Sequence, residues 1–176
     1  MKHAVKLKIN INKDDISINS DYMKIVVASF YRYNRGFSYV CTEFKHMDIC
    51  ASDGVSLIEI ECKISKNDLK NELKKTKHNY YSFKKKNNRI AIPNQYYIAI
   101  TKDMFKDKEC VEIINKLNDK YGIIVVENWK YISFEKYAKK LHDKNINEKR
   151  LQEIIARLSS ENIILRKHVY DYKTYL

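Results

Sequence analysis

Glycine and proline are nearly missing from this chain, with three Gly and one Pro in 176 residues. So little turn chemistry leaves no room for long flexible linkers or for a loop-rich all-β fold. The four cysteines, Cys41, Cys50, Cys62 and Cys110, form no C-x-x-C pair and no finger-like spacing. They sit among apolar residues as small buried side chains, which points to a reducing cytosol rather than to disulfides or metal fingers. Long apolar runs are absent as well. "MKIVVASFY" is far too short to span a membrane, and the opening "MKHAVKLKININ" alternates where a signal peptide needs an apolar core. The expectation is a soluble cytoplasmic protein with no membrane partner. There is no internal repeat and no low-complexity segment beyond short lysine clusters.

What is present is globular in composition, 44% hydrophobic and 32% charged, and long enough for one domain with an appendage. The charge is lopsided: 34 Lys and Arg face 22 Asp and Glu, a net of +12. Such a balance favours a polyanionic partner, through steering and through release of counterions from phosphates. A solvated lysine-rich surface gives the same count, so charge alone does not decide.

The hydrophobic pattern gives the element order. "HAVKLKININ" alternates as a strand, and "NSDYMKIVVASFYRYNRG" has a helical period, with Ser20 or Asp21 as cap and Gly36 after its end. Three strands follow in "FSYVCTEF", "HMDICAS" and "VSLIEIECKIS", the last two joined through the Asp-Gly turn at 52–54. From Lys66 to Tyr81 the period becomes helical, with Leu69, Leu73 and Tyr80 on one face and Lys70, Lys74, Lys77 and Tyr81 on another. A strand "QYYIAIT", a helix over 103–120 and a strand "GIIVVEN" come next. The order helix, three strands, helix, strand, helix, strand predicts an α/β fold, a mixed central sheet flanked by helices. "FEKYAKKLHDK" and "INEKRLQEIIARLSSENIILRKHVYDY" are expected as C-terminal helices. The second carries Leu151, Ile155, Leu158, Asn162, Leu165 and Val169 at heptad spacing, which suits either packing on its own domain or a homodimer.

The chemistry concentrates in "MDICASDGVSLIEIECKIS". In a strand, residues two apart share a face, so Glu59, Glu61 and Lys63 lie opposite Ile58, Ile60, Cys62 and Ile64. A charged row in an apolar strand is either a solvated face or a site. Asp48, from the preceding strand, can join Glu61 as a hard oxygen ligand for Mg²⁺, which takes one or two carboxylates with water and substrate phosphate. Lys63, two residues beyond Glu61, points at the same place. Glu59 is expected to be a solvated or salt-bridged neighbour, since Asp48 and Glu61 already suffice.

Asp48, a thirteen-residue interval and "ECK" resemble the D…(D/E)xK core of the PD-(D/E)xK nuclease superfamily, whose αβββαβ restriction-endonuclease-like core the element order also matches. The continuation "EIECKISKNDLKNELKKTKHNYY" with "PNQYYIAIT", and "CTEFKHMDI" before it, resemble the MmcB-like DNA-repair branch. The resemblance covers roughly residues 20–130, within an expected nuclease-like domain at 1–132, followed by a helical extension at 133–176. It implies Asp48 and Glu61 as ligands of Mg²⁺ or Mn²⁺, Lys63 as the catalytic lysine, and Glu43 as an accessory ligand or acid/base group. The first helix lacks the glutamate that many members carry, and Met47 stands where the superfamily has proline. The function implied is metal-dependent hydrolysis of DNA in repair or processing. A nuclease-fold binding protein without turnover and an RNA-processing nuclease are the alternatives.

After the ExK strand, "LKKTKHNYYSFKKKNNR" interleaves Lys74, Lys75, Lys77, Lys84, Lys85, Lys86 and Arg89 with Tyr80, Tyr81 and Phe83. Lysines neutralise phosphates and exposed aromatics stack on unpaired bases, which makes Lys74, Lys77, His78, Tyr81, Lys84, Lys85, Lys86 and Arg89 candidate contacts to single-stranded or branched DNA. A basic helix with a solvated loop is the plainer alternative. Asp68 reads as part of a capping box with Ser65. Asn94 and Gln95 either close the pocket or end a loop.

Overall fold

The computed structural model describes residues 4–6, 18–82, 92–128 and 131–174. Its centre is a seven-stranded mixed sheet in the order β1-β7-β6-β5-β4-β3-β2. The strands are β1 (Ala4–Lys6), β2 (Tyr39–Phe44), β3 (Met47–Ser52), β4 (Leu57–Lys63), β5 (Gln95–Thr101), β6 (Gly122–Asn128) and β7 (Tyr131–Lys136). β2, β3 and β4 form an antiparallel meander, β4, β5 and β6 run parallel, and β7 and β1 return antiparallel. The expected α/β architecture, with its helix and three strands leading into a crossover, is thus the one adopted.

Helix α1 (Ser20–Ser29), extended by a π-helical turn at Phe30–Asn34, covers one face of the sheet. Its Tyr22, Met23, Val26, Val27 and Phe30 pack on Ile58, Ile60 and Cys62 of β4 and on Ala99, Ile124 and Val126. The cap is Asn19, whose side chain accepts from Tyr22 N–H at 2.8 Å, in place of the expected Ser20 or Asp21. Helices α2 (Lys66–Glu72), α3 (Lys77–Tyr81), α4 (Lys102–Lys106) and α5 (Lys108–Leu117) cover the other face. There Leu69, Tyr81, Ile113 and Ile114 pack on Tyr96, Ile98, Ile100 and Val125. With both faces of β4 covered, all seven of its residues are buried.

Two expectations are corrected. The single helix over 66–81 is two short ones, interrupted after Glu72, and the break resets which residues face inward. Leu73 is 45% exposed while Tyr81 is 1% exposed, the reverse of what a continuous helix would give. The segment "FEKYAKKLHDK" is not a helix. Its start belongs to β7, paired with β6 and β1, and residues 137–147 have no regular structure. Pairing on both sides of β7 outweighs the local helical pattern, and Ile132 and Phe134 point into the core as a period of two requires. The sheet therefore continues past 132, where the helical extension was expected to start.

Helix α6 (Glu148–Thr174) packs its first half on β2 and β3, with Ile154 and Leu158 against Cys41, Phe44, Met47 and Cys50. Arg157 Nε donates to Thr42 O at 3.1 Å and Glu161 accepts from Thr42 N–H at 3.1 Å, so these side chains satisfy the open edge of β2. Of the heptad residues, Leu158 packs inward whereas Ile155 and Leu165 are exposed.

Candidate functional site

Where the β3–β4 ladder ends at the Ile49–Ile60 pair, the Asp48 carboxylate accepts the Cys62 N–H at 2.8 Å. This turns Asp48 toward the face of β4 that carries Glu59, Glu61 and Lys63. Lys63 Nζ lies 3.1 Å from Glu61 Oε2 and 4.0 Å from Asp48 Oδ2, so the three expected residues do converge. Asp68, on the first turn of α2, lies 3.8 Å from the same ammonium, and its N–H is capped by Ser65 Oγ at 3.2 Å as the capping motif predicts.

The charged row is neither solvated nor sparse. Glu59 and Glu61 are 0% exposed and Lys63 is 4% exposed, because α2 and α3 lie over them. The helices supply matching charges. Lys77 Nζ lies 2.8 Å from Glu59 Oε1 and 2.6 Å from Glu61 Oε1, and Lys75 Nζ lies 2.7 Å from Glu61 Oε2. The residue that ties the cluster together is Glu72, the last residue of α2 and fully buried. Its Oε2 sits 3.0 Å from Lys63 and 2.8 Å from Lys75, while Oε1 is 3.0 Å from His78 Nε2 and accepts from the Tyr96 hydroxyl at 3.0 Å. An ionised Glu72 only accepts, so the His78 proton on Nε2 points at it. Nδ1 of the same ring meets the Tyr121 hydroxyl at 2.8 Å.

Burial raises the pKa of Glu72, but the His78 hydrogen bond and the charges of Lys77 and Lys63 outweigh it and hold the carboxylate well below its ordinary range. Glu61 is likewise lowered: burial opposes ionisation, and Lys77, Lys63 and Lys75 overcome it. Lys63 goes the other way. Burial favours its neutral form, yet Glu61, Glu72 and Asp48 raise its pKa above that of a free lysine, so it is a permanent cation. In Asp48, burial and the Glu61 charge raise the pKa against the Cys62 N–H and Lys63.

Glu59 is the exception. Burial pushes its carboxyl up to about 7, against the Lys77 charge and the hydrogen bonds from Lys77 and Tyr81. A carboxyl whose folded pKa is raised loses stability as pH climbs from its unfolded value toward the folded one, because only the unfolded chain ionises in that window. Between about pH 4.3 and pH 7 this costs on the order of 3 kcal/mol. Glu59→Gln keeps an acceptor for the Tyr81 hydroxyl and removes that titration. The variant is expected to gain on wild type by up to that amount between pH 4.5 and pH 7.5 in denaturant titrations. A difference that stays flat with pH would show Glu59 to be ionised throughout.

The remaining site residues scatter. Glu43 sits at positive φ on β2, is exposed, and pairs with Lys24 of α1, which also faces the Asp48 charge. It is thus joined to the cluster only through Lys24. His78 and Tyr81 are interior and hold carboxylates, the Tyr81 hydroxyl donating to Glu59 at 2.7 Å. The expectation that they touch nucleic acid is corrected: the break after Glu72 turns α3 inward. Lys77 is buried with its ammonium on Glu59 and Glu61, so it too is removed from the surface contacts, whereas Lys75 stays 42% exposed. Lys74 is exposed. Lys84, Lys85, Lys86 and Arg89 lie outside the described residues. Asn94 and Gln95 are far from Lys63 along β4: Asn94 accepts the Leu57 N–H at 2.8 Å and donates to Lys144 O at 2.8 Å, and Gln95 donates to Ala138 O at 2.9 Å. They anchor the segment before α6.

For a metal, the donor set is the pair Asp48 and Glu61. Among the described residues no three Asp, Glu, His or Cys side chains are grouped to hold an ion by themselves. Two carboxylates fit a hard cation that keeps water and substrate oxygens on its other positions. Glu72 and Lys75 were missed as members of the site. The one signal for Glu72 was its place three residues after Leu69, on the buried side of a lysine-rich helix.

No family model and no curated protein matches the chain. Among solved structures, SPO1766, a protein of unknown function from Silicibacter pomeroyi, is similar with a TM-score of 0.59 at 16% identity, covering 90% of this chain and 96% of that one. The likeness is one of fold. No helix among the described residues is long and apolar enough to cross a membrane.

Proposed function

We propose that the protein is a metal-dependent phosphodiesterase of the PD-(D/E)xK kind that hydrolyses DNA, in repair or processing. The observation that carries this reading is the convergence of Asp48 and Glu61 on the Lys63 ammonium, 4.0 Å and 3.1 Å away, at the C-terminal end of a parallel strand. Asp48 and Glu61 would hold Mg²⁺ or Mn²⁺. Bound there, the ion supplies a Lewis acid for a phosphate oxygen and lowers the pKa of a water. Lys63 acts beside it as a fixed positive charge. Glu61, Glu72 and Asp48 favour its charged form, an ammonium that donates to the attacking water or to the phosphate oxygens as charge builds on them. Glu72 positions that ammonium from 3.0 Å. Glu59, fully buried, acts through Lys77 and Tyr81, with His46 Nε2 3.9 Å from its Oε2.

A second reading, a nucleic-acid-binding protein without turnover, is favoured by one feature. Both oxygens of Glu61 are already engaged by ammonium groups, Oε1 by Lys77 and Oε2 by Lys63 and Lys75. An ion must displace at least one of them. The test is incubation of the wild type with single-stranded, duplex and branched DNA and with matched RNA, in Mg²⁺, in Mn²⁺ and in chelator. Cleavage of DNA in metal but not in chelator is expected. Salt-sensitive binding with no cleavage of any substrate leaves the binder, and cleavage confined to RNA selects the RNA-processing nuclease.

A further inference from the structure

Beside the carboxylate cluster lies an open cleft of about 490 Å³, lined by His46, Lys74, Lys75, Thr76 and Lys77. That volume falls within the range of about 300–1,000 Å³ typical of ligand clefts. Among the described residues no carboxylate lines it. Its floor is shared with the cluster, since Lys75 and Lys77 reach Glu61 from the same turn. Lys74 differs from them: its Nζ meets only the neutral Asn71 Oδ1, at 3.0 Å, and it pairs with no carboxylate among the described residues. His46 Nε2 meets the Tyr81 hydroxyl at 3.0 Å, which fixes the ring at the rim.

We propose that this cleft is a phosphate site, in which Lys74, Lys75 and the Thr76 hydroxyl hold an anionic phosphate group next to Glu61. Three chemical facts point there. Lysines offer only hydrogen-bond donors and positive charge to a small tetrahedral oxyanion, and the hydroxyl adds a donor that rotates to suit it. A cleft without a carboxylate does not repel that ligand. The interrupted helix brings successive residues 74 to 77 around one cavity, where a continuous helix would spread them over separate faces. The identity of the occupant as a phosphate of a nucleic-acid strand rests on the nuclease reading; the site itself does not. Lys74 and Lys75 were expected in a basic stretch, whereas Thr76 becomes a phosphate ligand only through this cavity.

The test is binding in chelator, where no metal-dependent turnover intervenes. The probes are inorganic phosphate, followed by phosphorus resonance, and one labelled oligonucleotide with and without a 5′-terminal phosphate. Lys74→Ala and Lys75→Ala are each expected to weaken binding about tenfold. Each should also reduce the salt slope by about 0.7 for a single strand. Lys116→Ala, an exposed lysine of α5, removes the same charge elsewhere and is expected to leave affinity unchanged. A terminal-phosphate preference lost in the variants assigns the cleft to strand ends, and equal loss for both oligonucleotides assigns it to internal phosphates. Lys74→Ala carries the test if Lys75→Ala unfolds, because its ammonium has no buried partner. Wild-type binding by Lys74→Ala, or equal weakening by Lys116→Ala, overturns the site. Loss of binding in the variants, with no cleavage by wild type in either metal, keeps the phosphate site and removes the nuclease reading; metal-dependent cleavage with unchanged variant binding does the reverse.

Discussion

Lys63→Ala is expected to lower metal-dependent cleavage by about 10²–10³-fold, the usual loss when a fixed charge aimed at the transition state is removed. DNA binding in chelator is expected to stay within a few fold, because Lys63 is buried and contributes little to the surface field. The fold should survive the change. Glu61 retains Lys75 and Lys77, and Glu72 retains Lys75 and His78, so no carboxylate is stranded. Single-turnover cleavage in Mg²⁺, with thermal melting of both proteins, checks it. Undiminished cleavage by a folded Lys63→Ala would remove the lysine from the mechanism and, with it, the reading of the D…ExK motif. Lys63→Arg is informative as well. A guanidinium keeps the charge but not the compact shape, so partial activity is expected if charge matters and none if a single donor position does.

The largest effect on stability is expected at Glu72. Glu72→Ala removes the acceptor shared by Lys63, Lys75, His78 and Tyr96, all of which stay in place around the gap. Taking one partner from a buried charge network costs about 3–5 kcal/mol, since the buried Lys63 and Lys77 ammonium groups are then left crowded on Glu61. For a chain of this length that is a drop in melting temperature of roughly 10–15 °C. Glu59 is positioned to offset part of it by ionising, because Lys77 then has one carboxylate fewer. The sign of the pH dependence follows from the lowered pKa. Glu72 contributes its stability in full above the unfolded value, near 4.3, and that contribution falls only as pH drops toward the folded value. The gap between wild type and Glu72→Ala should therefore be constant above about pH 7.5, where Glu59 is ionised in both proteins, and begin to close below about pH 4. A gap under about 1 kcal/mol at pH 7 would show that the network is not under the electrostatic load its burial implies.

Both predictions turn on a row of residues half legible in the sequence. "SLIEIECKIS" places Glu59, Glu61 and Lys63 on one face by the alternation of a strand, and Asp48 follows from the hairpin that the Asp-Gly turn sets. Both are local rules. The element order, and with it the mixed sheet, is similarly a matter of local period. The capping of α2 by Ser65 needed only the three-residue spacing to Asp68. Each of these holds wherever the chain goes next, because it depends on neighbours within one turn.

The C-terminal part escaped that logic. "YISFEKY" alternates as a strand and "FEKYAKK" has a helical step, so the two periods overlap at Phe134 to Tyr137. What chose the strand was β6 on one side and β1 on the other, one adjoining it in the chain and the other its opposite end.

By itself, then, the sequence determined which residues of β4 share a face, where the turns fall and that a strongly basic chain carries an acidic strand. Only the tertiary structure decided that this face is interior. Burial depends on what packs over a strand, and here that is a helix pair broken after Glu72. The break brings Glu72, Lys75, Lys77, His78 and Tyr81 down onto Glu59, Glu61 and Lys63. No periodicity within β4 encodes that cover, because the charges that compensate it arrive from nine to eighteen residues away.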